Sequence, residues 1–255
     1  IDRFIEKASN PDLPGEVTAL VAPHAGYRYS GHVAGHAFKT TRGRAFQTVA
    51  VISPMHQYHP QPVLTSAHRA YQTPLGEIPL DRQRLQSIGE KMQARTGQGL
   101  TAVANDQEHS LEIELPFLQR AINGDFELIP IMLRDQTREI ARALGEVLAE
   151  TLQGEDCLLV ASSDLSHFYT EGKANQLDER VLSALTDFSP DALFELKHRG
   201  EGQACGLAPM AAVLWASQKM GADQVTLLKY DTSASATGDR SSVVGYAAAA
   251  ITQPG

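Results

Sequence analysis

The sequence predicts an α/β fold: one domain over residues 1–255, with a mixed, mostly parallel sheet covered by helices on both faces. Three observations predict it. Short apolar, β-branched runs at 17–22, 48–52 and 157–162 read as strands buried on both faces. Segments with helical spacing of apolar residues alternate with the strands, an order that favours parallel pairing. No Pro/Gly/Ser-rich linker and no shift of composition divides the chain.

The elements follow in order. Residues 1–9 read as the end of a helix, broken by Pro11 and Pro14. The first strand, 17–22, closes at Pro23. Ser30 can cap a helix over 30–39, where Val33, Ala34, Ala37 and Phe38 have helical spacing. The second strand, 48–52, leads to His56. Residues 60–80 alternate apolar and polar side chains among several prolines, which predicts a hairpin or irregular strands. A polar helix over 81–95 carries Leu85, Ile88 and Met92 on one stripe. Residues 108–118 read as another helix, in which Pro116 is tolerable only near a first turn or at a kink. A strand at 126–133 precedes an amphipathic helix at 137–152, with Ile140, Leu144, Val147 and Leu148 inward. After the strand at 157–162 come helices at 171–188 and 190–197 and an apolar, Ala-rich helix at 206–220. Strands at 224–229 and 241–251 read as an antiparallel pair around a Gly/Ser/Thr-rich turn at 232–242.

Composition excludes some functions. A formal charge of -8 disfavours nucleic acid, which selects basic faces, and disfavours an anionic membrane surface. No apolar run approaches the ~20 residues that span a bilayer. The opening residues are an amphipathic helix fragment rather than a signal peptide. They begin at Ile1 without an initiator Met, so the native N-terminus is expected to be missing or processed. Cys157 and Cys205 make no disulfide framework, and a cytoplasmic location is expected.

Three of the buried strands deliver polar groups at their C-terminal ends, the edge where open α/β sheets bind ligands. They are His24, His56, and the pair Asp164 and His167. One strand-end histidine is usually a hydrogen-bonded structural residue. Two on adjacent rigid strand ends make a natural half of a transition-metal site. His59 competes from a loop before Pro60. His32 and His36 lie one helical turn apart but lack the Glu of a metalloprotease motif, so a solvated or capping role suits them better. Asp164 can accept from an imidazole N–H or cap the next segment. His167 can serve as a general acid or base. Ser162 and Ser163 lack the Gly-flanked elbow of a hydrolase nucleophile. Cys205 opens a helix, whose dipole should lower its pKa and make it a nucleophile or a soft ligand. Cys157 reads as inert core. Glu108, His109 and Glu112 either reach the pocket or solvate a helix.

Ala22-Pro-His-Ala-Gly-Tyr27, Ser53-Pro-Met-His56, Glu108-His-Ser-Leu-Glu112, Ser162-Ser-Asp-Leu-Ser-His167, Cys205-Gly206 and Ser241-Ser-Val-Val-Gly-Tyr246 are spread over nearly the whole chain. In this set and order the sequence resembles the Memo family, whose bacterial members are called AmmeMemoRadiSam system protein B. The family fold is similar to the LigB-like class III extradiol dioxygenases. The resemblance implies that His24, His56 and Cys205 ligate a metal, iron or copper, with zinc a further option. It places Asp164 and His167 in the same pocket as catalytic groups, with Tyr27, His109 and Glu112 on its walls. It implies a redox role, a small-molecule or peptide ligand, and functional association with radical SAM and AMMECR-type proteins. The dioxygenases complete their iron triad with Glu. Cys205 in that place argues against ring cleavage, because thiolate is softer. The family also implies an Ala-Gly-Xaa-Phe/Trp-Tyr segment before the first strand, forming one wall of the pocket; this chain begins after that point.

Overall fold

The computed structural model describes residues 1–254. Its centre is a parallel group of strands: β1 (Glu16–Ala22), β2 (Thr48–Pro54), β7 (Glu127–Leu133) and β8 (Cys157–Ser162), in the spatial order β1-β8-β2-β7. Every residue of β2 and β8 is buried, as continuous apolar runs require of strands covered on both sides. Beyond β7 lie β3 (Val63–Ser66), antiparallel to it, and β6 (Thr101–Val103), parallel to β3. Beyond β1 lie β11 (Val243–Gln253) and β10 (Gln224–Thr232), both antiparallel to their inner neighbours. The sheet is therefore mixed, with a parallel heart and an antiparallel margin. β4 (Ala70–Thr73) and β5 (Gly76–Pro79) form a separate hairpin within the region expected to be one. β9 (His167–Tyr169) pairs with β11.

Helices cover both faces. α5 (Arg138–Leu152) packs along α8 (Leu207–Lys219), and α8 lies across β1, β2 and β8. α3 (Arg82–Thr96) packs beside α5. α2 (Tyr27–Lys39) covers β1, β10 and β11, with α1 (Asp2–Lys7) packed on it and α4 (Leu115–Ala121) beside it. α6 (Glu171–Thr186) lies on β10 and β11, and α7 (Pro190–Arg199) bridges α6 and α8. Gly145 makes the α5–α8 contact close. A Cβ built there would meet the Ala212 carbonyl oxygen at 2.6 Å and the Trp215 Cβ at 2.9 Å.

Several expected boundaries shift. α2 begins at Tyr27, with Gly26 at its N-cap, so Ser30 lies inside the helix and its hydroxyl donates to the Ala25 carbonyl (2.8 Å). Residues 108–111 are not helical. A 3-10 turn, Glu112–Glu114, leads into α4, and Pro116 sits in that helix's first turn, where its missing N–H has no partner to lose. The 232–242 connection contains a short helix, α9 (Ala234–Thr237). β6 and β9, three residues each, were not expected; runs this short show no readable periodicity. Among the described residues, no helix is long and apolar enough to cross a membrane.

Register places the site. Ala22 pairs with Ser162, and Ile52 pairs with Ala161, so β1, β8 and β2 run out together at one edge of the sheet. The next residues of each strand lie together: His24 is hydrogen-bonded to Ser162 and Asp164, and its ring is 5.4 Å from that of His56.

Candidate metal centre

His24 is buried just past β1. Its backbone N–H donates to Asp164 Oδ1 at 2.9 Å, and that of Ala25 does so at 3.3 Å. Asp164 therefore holds the main chain of the His24 turn and neither accepts from the imidazole nor caps the segment after β8. The imidazole Nδ1 lies 2.8 Å from Ser162 Oγ, and Nε2 lies 3.2 Å from Cys205 Sγ. Burial, followed by the nearby His56 and His109, pushes the His24 pKa well down, which keeps the ring neutral as a metal ligand must be.

His56 follows β2 and is more open, with its side chain 39% exposed. Its orientation comes from Glu108, whose side chain is only 1% exposed. Glu108 Oε1 lies 2.9 Å from His56 Nδ1, and Oε2 accepts the His56 backbone N–H at 2.6 Å. Oε1 also accepts the backbone N–H groups of His109 and Ser110. Burial alone would raise the Glu108 carboxyl, but the His56 ring and these N–H donors hold it down at about 2. The hydrogen bond that His56 donates to Glu108 in turn raises the His56 pKa. Glu108 thus reaches the pocket, which settles the alternative left open by its place in the sequence.

The same carboxylate fixes the turn carrying His109, and His109 closes the cluster. Its ring centroid is 5.7 Å from that of His24 and 5.3 Å from that of His56, and His24 and His56 are 5.4 Å apart. One ligand nitrogen from each of these three residues lies within 4.8 Å of the others. The family resemblance implies Cys205 as the third ligand and His109 in the wall. The structure makes His109 the third imidazole and brings the Cys205 sulfur to the same place from the His24 side. His109 sits on an irregular turn rather than at a strand end, so the strand-end pattern does not reveal it. The carboxylate one residue before it was the available signal.

The other site residues fall as follows. Cys205 lies before α8, whose N-cap is Gly206. Its sulfur accepts from the Asp164 backbone N–H at 3.2 Å. Burial, and next the Asp164 charge, push its thiol well up, opposite to the lowering expected from the helix dipole. The dipole loses because desolvation of a buried thiolate is the larger effect. Burial likewise pushes the Asp164 carboxyl up to about 6. His167, the first residue of β9, places its Nδ1 2.8 Å from the Leu165 carbonyl, which leaves Nε2 free. The turn before it is fixed by Asp178 of α6, a fully buried carboxylate that accepts from the Ser166 backbone N–H (2.9 Å) and from the Tyr230 hydroxyl of β10 (2.8 Å). Tyr27 donates its hydroxyl to the Ile113 carbonyl (3.1 Å) and packs edge-on against Phe117. Glu112 is exposed at the start of the 3-10 turn.

The donor set fits a transition metal. Three imidazoles suit zinc, copper or iron, and two of them have Nδ1 engaged by a hydroxyl or a carboxylate, the arrangement that aims a ligating Nε2. Fold and site together define an α/β protein with a histidine centre able to hold a metal ion at the carboxyl edge of its sheet. The comparisons with known proteins give the family. The family model described as Memo-like protein matches residues 1–250. A MEMO1 family protein of Methanosarcina mazei is 35% identical over 236 residues, covering 91% of this chain and 85% of the relative. Another from Methanococcoides burtonii is 37% identical, covering 91% and 86%. The crystal structure of the uncharacterized protein JW3007 from Escherichia coli K12 superposes with a TM-score of 0.58 at 18% identity, over 91% of this chain and 99% of that one, a likeness of fold. The chain belongs to the Memo family.

Proposed function

We propose that this cleft is a metal-dependent redox centre. His24, His56 and His109 hold the ion, and the Cys205 sulfur lies at its side. One observation carries the reading: three imidazole nitrogens from three separate segments lie within 4.8 Å of one another. A bound iron or copper ion would supply a Lewis acid for a small ligand or oxygen and a one-electron couple. The chain's own groups do the rest. Glu108 and Ser162 aim the rings, and Asp164 fixes the His24 turn. His167, with its Nδ1 held by the Leu165 carbonyl, offers Nε2 for proton transfer. The ligand is a small molecule or a peptide end reaching the open His56 and His109 side of the cleft.

Metal analysis of the purified chain tests this. About one ion per chain is expected, falling to trace amounts in His24→Ala, since ligand removal from a three-ligand site abolishes tight binding. Trace metal in the wild type, unchanged by the substitution, overturns the proposal. An extradiol-type dioxygenase is the second reading, favoured by His109. With His109 as a third imidazole donor, the ligand set no longer depends on the Cys205 sulfur, and the argument from thiolate softness against oxygen activation weakens. Oxygen uptake with catechols under ferrous iron separates the two; no uptake across a catechol panel removes the second.

A further inference from the structure

Glu114 is fully buried between the 3-10 turn and β8, and no step above uses it. Its Oε1 lies 2.7 Å from Ser162 Oγ. Ser162 Oγ has two more neighbours, the Ser110 carbonyl at 2.7 Å and His24 Nδ1 at 2.8 Å. A hydroxyl has one hydrogen to give and two lone pairs to receive with. A carbonyl only accepts, so the contact with Ser110 needs the serine's own hydrogen. The other two contacts must then be donated to Ser162, one by the His24 ring N–H and one by a carboxylic acid O–H. Any other assignment leaves two oxygen lone pairs facing each other at hydrogen-bond distance.

The geometry points to Glu114 as a neutral carboxylic acid that donates to Ser162, fixing the hydrogen of His24 on Nδ1 and leaving Nε2, which faces the Cys205 sulfur, without a hydrogen. Glu114 is a positioning residue, acting on His24 through one hydroxyl.

The surroundings agree. Oε2 has no hydrogen-bond partner among the described residues, and Glu114 forms no ion pair with any Lys or Arg among them. An anion there would be bare on one oxygen, whereas an unpartnered neutral carbonyl costs far less. The groups around it also disfavour charge. Asp164, on the turn after β8, bears on it as an anion; Tyr27 of α2 feels both Glu114 and Glu112 of the same turn, and His24 lies beyond Ser162. Burial, with Asp164 adding to it, holds the Glu114 carboxyl well above the ordinary carboxylate range.

The role of His24 as a ligand rests on the function proposed above, but the protonation does not, so the test starts on chelator-treated full-length chain. Infrared difference spectra between the wild type and Glu114→Gln at pH 7 should show a protonated-carboxyl stretch, sensitive to deuterium, present only in the wild type. Nitrogen NMR should place the His24 hydrogen on Nδ1. Because the native group stays protonated above the ordinary value of 4.5, folding takes up a proton there. Wild-type stability relative to Glu114→Gln should therefore fall with rising pH, by up to about tenfold in the folding constant per pH unit. Carboxylate bands alone, or parallel pH profiles for the two proteins, overturn the proposal. Zinc titration then reads the consequence for the site. Glu114→Gln, which keeps a donor, should bind as the wild type does, and Glu114→Leu should bind about 10–100-fold more weakly. If Glu114→Leu does not fold, the infrared and pH comparisons on Glu114→Gln decide. Failure of the wild type to bind zinc, iron or copper defeats the metal reading and leaves the infrared result standing on its own.

Discussion

Glu108 shows how one side chain organises a site. A single carboxylate takes the ring N–H and backbone N–H of His56 together with the backbone N–H groups of His109 and Ser110. Two candidate ligands from distant segments are thereby set by one buried charge. Glu108→Gln keeps the shape and loses the charge, and metal affinity should fall about 10–100-fold, as when an orienting carboxylate is removed behind a ligating histidine. Competitive chelator titration measures this. The same residue makes the metal-free protein acid-sensitive. Its folded value of about 2 lies below its ordinary 4.5, so its stabilisation is complete above 4.5 and disappears as pH falls through about 2. The linkage is up to about 3.5 kcal/mol, at roughly 1.4 kcal/mol per pH unit. Urea unfolding of wild type and Glu108→Gln with chelator present should show the gap close between pH 4.5 and pH 2.

At the scale of elements, the layer behind the site is set by the α5–α8 contact. Gly145 permits it, because a methyl group there would strike the backbone of α8 at Ala212. Gly145→Ala should cost about 1–3 kcal/mol through overpacking, outweighing the helix propensity that alanine adds. In a chain of this size that lowers Tm by about 2–4 °C per kcal/mol, which calorimetry reads directly. The helices and strands with clear periodicity were legible in the sequence: Leu85, Ile88 and Met92 are buried on α3, and Ile140, Leu144, Val147 and Leu148 on α5. Residues 108–111 were not. Their polar and apolar residues mimic a helix, but the Glu108 side chain takes the backbone N–H groups of His109 and Ser110. Such local side-chain capture of the backbone leaves no mark on hydrophobic spacing.

For the whole molecule, the informative feature was the convergence of strand ends. Parallel strands in register must release their next residues at one edge, so His24, His56 and the 162–167 turn belong together by topology alone. His109 and Glu114 come from the irregular stretch and 3-10 turn that lead into α4, and nothing in a linear pattern says where such a stretch returns. The Cys205 thiol was misjudged for the same reason. The desolvation that overrides the helix dipole comes from the His24 ring and the Asp164 turn packed on its sulfur, a long-range fact. A ligand that binds only the folded cleft should stabilise the whole chain. With metal at about a hundred times its dissociation constant the gain is about 2.7 kcal/mol. A thermal scan should show the melting transition rise with added zinc or iron, return with chelator, and stay flat in His24→Ala.

The tether from Asp178 gives the outer margin of the sheet a say in the cleft. One oxygen of that carboxylate grips the main chain just before His167, and the other takes the hydroxyl of Tyr230 on the outermost strand. Removing the Tyr230 hydroxyl should therefore slacken the turn before His167 along with the sheet margin, which faster hydrogen exchange at the Ser166 amide reads.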